Sequence, residues 1–140
     1  MSPSTRARKG RSLGARLVEA ARAQLRRAHA PYSRFRVGAA LETRGGRIFA
    51  GCNVENASLG LAICAERVAA CSAVAAGEKE FVRIAIVTSA GRATAPCGAC
   101  RQFLAEFAPR LEVLMVGRGG VKRAGLQALL PSAFAKRDLP

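Results

Sequence analysis

The chain has 140 residues, half of them hydrophobic, which suits one domain with a real core and excludes a disordered segment. Lys and Arg number 23 against 9 Asp and Glu, a net charge of +14, distributed as +9 over residues 1–36, +1 over 37–117 and +4 over 118–140. No apolar run approaches the ~18 residues of a membrane-crossing helix, and Arg16, Arg22, Arg26 and Arg27 interrupt the first apolar stretch where a secretory signal needs continuity, so a cytoplasmic protein is expected.

Residues 1–11, MSPSTRARKGR, read as a basic flexible tail, with residues 12–140 as a single domain. An Arg-rich, acid-poor start fits nucleic-acid contact or targeting. No aromatic residue precedes Tyr32 to stack on bases, so a solvated tail is the simpler reading and nucleic acid is not the expected partner. Leu13, Leu17, Ala21, Leu25 and Ala28 recur every three to four residues, an amphipathic helix that Pro31 ends. Phe35–Leu41 and Arg47–Ala50, separated by Gly45-Gly46, predict a β-hairpin. Ala65–Ala76 predicts an alanine-rich helix stopped by Gly77, and Phe81–Val87 a buried strand. Gly98–Phe107 reads as a helix, Leu111–Val116 as a strand, Val121–Arg123 as a short edge strand, and Leu126–Phe134 as helical or turn-like. Helices interleaved with strands in this way imply a layered α/β domain around a mixed sheet.

Five cysteines, Cys52, Cys64, Cys71, Cys97 and Cys100, are an odd number and argue against a disulfide framework. The informative pair of segments is Cys64-Ala65-Glu66 with Pro96-Cys97-Gly98-Ala99-Cys100. Three thiolates at the starts of two helices can converge on a tetrahedral zinc, leaving the fourth position for water. A glutamate two residues after the first ligand can then serve as a proton carrier. This is the established signature of zinc deaminases, with a His or Cys first ligand, a non-ligand Glu and a P-C-x-x-C tail.

Two other readings compete at this stage. A structural zinc needs a fourth protein ligand. Cys71, seven residues beyond Cys64, lies ~10 Å further along the same helix and cannot share an ion bound at ~2.3 Å. Cys52 is left open by spacing alone. Cys97 and Cys100 could also form a redox pair, since C-x-x-C serves thiol exchange.

Further stretches carry a resemblance: Ala30–Leu41 (APYSRFRVGAAL), Gly51–Ser58 (GCNVENAS), Cys64–Arg67 (CAER), Pro96–Gln102 (PCGACRQ) and Leu130–Phe134 (LPSAF). The chain resembles the short-chain, homotetrameric, zinc-dependent cytidine deaminases from about residue 13 to Leu139. The resemblance implies a three-layer α/β fold, with a mixed sheet of about five strands and helices on both faces. It implies hydrolytic deamination of cytidine and 2′-deoxycytidine to the corresponding uridines plus ammonia, with one zinc per subunit.

Carried over residue by residue, it assigns Cys64, Cys97 and Cys100 as zinc ligands and Glu66 as the catalytic proton carrier between water, the pyrimidine N3 and the leaving ammonia. Arg67 becomes the cation beside the sulfurs, where three thiolates and one zinc sum to −1. Asn53 and Glu55, two apart on an extended segment and so facing one side, become the ribose contacts. Phe35 becomes a wall of the base pocket, Ala65 a further substrate contact, and Phe134 an aromatic lent to a neighbour's site. The partners implied are a nucleoside and further copies of the chain, with no membrane. The nearest rival is a deaminase for another cytosine nucleoside such as blasticidin S. An enzyme editing DNA or RNA, and a structural-zinc nucleic-acid module, are more distant rivals. Leu59 stands where the family often has an aromatic residue, and the basic N-terminal extension has no counterpart in the family pattern.

Overall fold

The computed structural model describes residues 14–140; the expected basic tail and Leu13 lie outside the described residues. Leu17 and Ala21, four residues apart, are fully buried on one stripe of helix α1 (residues 14–23). The α-helix stops earlier than its periodicity suggests. Gln24 N bonds Ala21 O at 3.1 Å, three residues back, and the chain tightens into a 3-10 turn over Leu25–Arg27 before Pro31.

Strands β1 (Val37–Thr43) and β2 (Ile48–Cys52) form the expected antiparallel hairpin, with Ala40 opposite Ala50. Both lie about two residues later than alternation indicated. Phe35 precedes β1 because Arg34 takes a left-handed φ of 58° that extended pairing does not accommodate. Helix α2 (Ala65–Ala75), strand β3 (Phe81–Thr88), helix α3 (Gly98–Phe107) and strand β4 (Glu112–Gly117) follow. Strand β5 (Gly120–Gly125) is longer than the short edge strand expected. Helix α4 (Leu126–Leu129) covers only the first four residues of the stretch running to Phe134. Leu130 leaves the helical region immediately before Pro131, whose ring disfavours α geometry in the preceding residue.

The sheet order is β2-β1-β3-β4-β5, with only β3 and β4 parallel. On one face α1 packs Leu17 and Ala21 against Ala40, Ala85, Val87, Leu114 and Val116. On the other, α2 and α3 bring Ala65, Ala69, Ala73 and Leu104 against Ala39, Leu41, Ile84, Ile86, Val113 and Met115. Alternate residues of each central strand therefore enter different cores. That explains why these strands read as continuous apolar runs rather than as an alternation. Small residues set the closeness of α2: a Cβ on Gly51 would lie 2.7 Å from Ala69 N and 2.8 Å from Ala65 O. The parallel pair β3 and β4 delivers both carboxyl ends to one edge of the sheet, the usual location of a ligand crevice in such folds.

Candidate active site and metal centre

The first two sulfurs owe their positions to helix starts. Cys64 and Cys97 are the N-cap residues of α2 and α3, and neither side chain bonds back to its own helix, so both sulfurs are free to face each other. Cys64 Sγ and Cys97 Sγ are 3.8 Å apart, and buried Cys100, one turn into α3, completes a group whose sulfurs all lie within 4.8 Å. Sulfurs on a tetrahedron of ~2.3 Å zinc bonds sit about 3.8 Å from one another. The donor set therefore fits zinc. Among the described residues no further Cys, His, Asp or Glu joins the group, which leaves out Cys52 and the exposed Cys71. That is the ligand count of a site with one position open to water.

Electrostatics favour thiolate at Cys64. The positive ends of two helices approach the sulfurs. The Cys64 thiol is drawn down to about 5, first by a hydrogen bond from Cys100 and then by Arg67, whose Nη2 donates to its sulfur at 3.5 Å. Cys100 is pushed upward, because it gives its proton toward Cys64 and is buried beside Glu66. Glu66, in the first turn of α2, is only 4% exposed, and burial raises its carboxyl above the ordinary range.

Cys64, Cys97 and Glu66 lie on the wall of a cavity of about 340 Å³ at the carboxyl end of β3. This volume lies within the usual span of small-molecule sites. Phe35, Asn53 and Glu55 also line it. Asn53 Oδ1 accepts from Val37 N at 2.9 Å and its Nδ2 donates to Phe35 O at 2.8 Å. Glu55 accepts from the backbone amides of Tyr32 at 2.9 Å and Ser33 at 3.1 Å, and from the Ser33 hydroxyl. That hydroxyl, ahead of the two amides, holds the Glu55 carboxyl below its ordinary range. Both residues thus fix the segment 32–37 that presents Phe35. Each keeps hydrogen-bonding capacity: one amide proton on Asn53 and a lone pair on Glu55.

Sequence reasoning did not single out Val37, Ile86, Thr88 or Thr94, which also line the cavity. Period-two alternation from Ile84 puts Ile86 and Thr88 on one face of β3, but nothing local says that this face opens into a cavity. Ala65 is fully buried in the core and lies outside the cavity lining. Phe134 is 59% exposed and stands in a separate cleft with Leu126, Leu130 and Arg137. Leu59 is exposed in a 3-10 turn with Leu61. Arg101, also not singled out, ties the metal centre to the C-terminal segment: its Nε donates to Pro96 O at 2.7 Å and its Nη1 to Leu129 O at 2.6 Å. Gln102 Nε2 donates to Phe134 O at 2.8 Å.

Comparison with known proteins follows the same lines. A family model for the cytidine and deoxycytidylate deaminase zinc-binding region matches residues 12–116. A cytidine deaminase of Halalkalibacterium halodurans is 44% identical over 114 residues, covering 80% of this chain and 86% of its own length. The crystal structure of cytidine deaminase from Burkholderia pseudomallei superposes with a TM-score of 0.81 at 52% identity, covering 84% of this chain and 96% of that one. A blasticidin-S deaminase of Bacillus cereus is more distant, 31% identical over 108 residues, covering 71% of this chain and 77% of its own length. With three cysteines grouped at two helix starts, a buried glutamate beside them and a family match over three-quarters of its length, the chain belongs to the cytidine and deoxycytidylate deaminase family.

Proposed function

We propose that this protein hydrolyses cytidine and 2′-deoxycytidine to uridine and 2′-deoxyuridine with release of ammonia, as an enzyme of pyrimidine salvage in the cytoplasm. The observation that carries the reading is the group of Cys64, Cys97 and Cys100 beside the buried Glu66 on one cavity wall. Cys64, Cys97 and Cys100 would hold a zinc ion, which when bound would supply Lewis-acid activation of water near neutral pH. Glu66 takes a proton from the attacking water and passes it to N3 of the pyrimidine so that C4 becomes more electrophilic; it then takes the remaining proton from the new C4 hydroxyl and passes it to the amine, so that the C4 carbonyl forms as ammonia leaves. A carboxyl raised by burial is suited to both halves of that transfer. Arg67 withdraws charge from the Cys64 sulfur, which offsets the net −1 of three thiolates on one zinc. Phe35 walls the base, and Asn53 and Glu55 hold the ribose with the hydrogen-bonding capacity left to them.

The working unit is a homotetramer in which Phe134 of one subunit closes the cavity of a neighbour. Support comes from its exposure, from its place outside its own chain's cavity, and from the exposed Ile63 on the cavity wall, with Leu59 and Leu61 exposed just before it in the chain. The catalytic domain is residues 12–140. The test follows the absorbance lost as cytidine becomes uridine, with and without a zinc chelator, beside blasticidin S and a cytosine-containing oligonucleotide. Chelator-sensitive turnover of cytidine is expected. Turnover of blasticidin S or the oligonucleotide in its place would refute the assignment. Light scattering on the same preparations should show a tetramer, retained when residues 1–11 are deleted. Phe134→Ala should raise KM without unfolding the chain, and a monomer that still deaminates cytidine would refute the shared site.

A further inference from the structure

The edge of the sheet that carries the metal centre also carries a second, more open cleft of about 530 Å³, between the loop after β3 and the β4–β5 turn. Arg92, Arg118 and Lys122 line it, together with four glycines and no acidic residue. All three cations are exposed, and the ion pairs among the described residues belong instead to Arg44, Arg47, Arg83 and Arg123. Glu112 stands at the far end of β4, roughly 16 Å from Gly117 at strand rise, and is already bonded to Arg123.

The convergence of charge is built into the backbone. Arg118 N donates to Gly91 O at 2.8 Å, and a Cβ on Gly91, whose φ is +75°, would lie 2.5 Å from Arg118 Nε. The guanidinium therefore lies across the bare α-carbon. A Cβ on Gly117 would meet Ala93 N at 2.7 Å, so the two loops are pressed backbone to backbone. Three like charges held at one cleft without a counter-charge repel one another until an anion enters. Two guanidinium forks and one ammonium suit phosphate oxygens. The lining contains no aromatic residue on which a base could stack, so the ligand is read by its charge rather than by its base.

We infer that this cleft binds a condensed phosphate, a diphosphate or triphosphate either free or carried on a nucleotide, at a site separate from the nucleoside cavity. The two sites share a loop: Arg92 and Ala93 face the basic cleft, while Thr94 and Ala95 line the nucleoside cavity.

The test is a calorimetric titration of the full-length, zinc-loaded protein with inorganic triphosphate, with ATP and with a single-stranded oligothymidylate. About one triphosphate per chain is expected, weakened by added salt and not displaced by saturating cytidine. Arg118→Ala and Arg92→Ala should each weaken binding at least tenfold while leaving cytidine turnover intact, and Arg44→Ala should leave binding unchanged. ATP binding as tightly as inorganic triphosphate supports recognition of the phosphates alone, and tighter ATP binding identifies a nucleotide as the source. The inference is overturned by absent binding, by displacement with cytidine, by an equal loss in Arg44→Ala, or by oligothymidylate binding more tightly than either phosphate.

Discussion

Replacing Gly51 by alanine tests the packing that sets the metal centre. A β-carbon at this position on β2 would lie 2.7 Å from Ala69 N, 2.8 Å from Ala65 O and 3.0 Å from Val68 Cβ. Two of these three atoms are helix backbone, so no side-chain rotation relieves the clash. Helix α2 has to move outward by roughly 0.7 Å or more to restore ordinary contact distances. Overpacking of this kind costs about 1–3 kcal/mol, or some 3–10 °C in Tm for a chain of this size. The displaced helix carries Cys64 at its N-cap and Glu66 in its first turn, so the shift also reaches the sulfur group and the proton carrier. A misplacement approaching 1 Å can cost up to ~10²-fold in rate. The expected result is a lower denaturation midpoint at matched protein concentration, together with faster loss of zinc to a chelator and reduced kcat. Unchanged stability, zinc retention and kcat in Gly51→Ala would show that α2 does not rest on β2 through this glycine.

Glu66→Gln should keep zinc and nucleoside binding while kcat falls about 10²–10⁴-fold, since the amide is nearly isosteric and cannot accept and release the transferred proton; near-normal turnover would mean another group does the transfer. Arg67→Ala removes the donor to Cys64 Sγ and should weaken zinc binding by roughly 10–100-fold in a chelator competition, with Arg67→Lys recovering part of the loss. Equal affinity in all three proteins would sink the charge argument. Glu55 is held below its ordinary carboxyl range in the folded state, so its stabilisation is complete above the unfolded carboxyl range and disappears as pH falls through the lowered value. Glu55→Gln should therefore unfold at lower urea than the parent at neutral pH, and the gap should close on acidification to below the ordinary carboxyl range. A gap independent of pH would contradict the ionic role.

The order of helices and strands and the group of three cysteines able to hold a metal were legible in the sequence because each rests on a local rule. Alanine-rich and strongly apolar runs set α2 and β3, and a thiolate ligand can only be a cysteine, which leaves few candidates. Spacing also removed Cys71, since a helix rises too far in seven residues for both thiols to reach one ion. Spacing could not remove Cys52, which sits on β2 away from the sulfur group. Only the folded sheet decided that.

What tertiary structure decided concerns faces and distances between segments far apart in the chain. Ile86 and Thr88 are ordinary strand residues until the end of β3 meets the loop carrying Thr94. Asn53 and Glu55 look like free polar contacts, yet their bonds first clamp the backbone around Phe35, because β2 ends beside the start of β1. Arg101 carries no local signal in the sequence, yet it joins Pro96 to Leu129, which lies 28 residues beyond the arginine. Residue type and spacing specify the chemistry that a chain can perform. The surfaces that receive it arise from long-range packing, where the partner of each group is set by the whole sheet rather than by its neighbours in sequence.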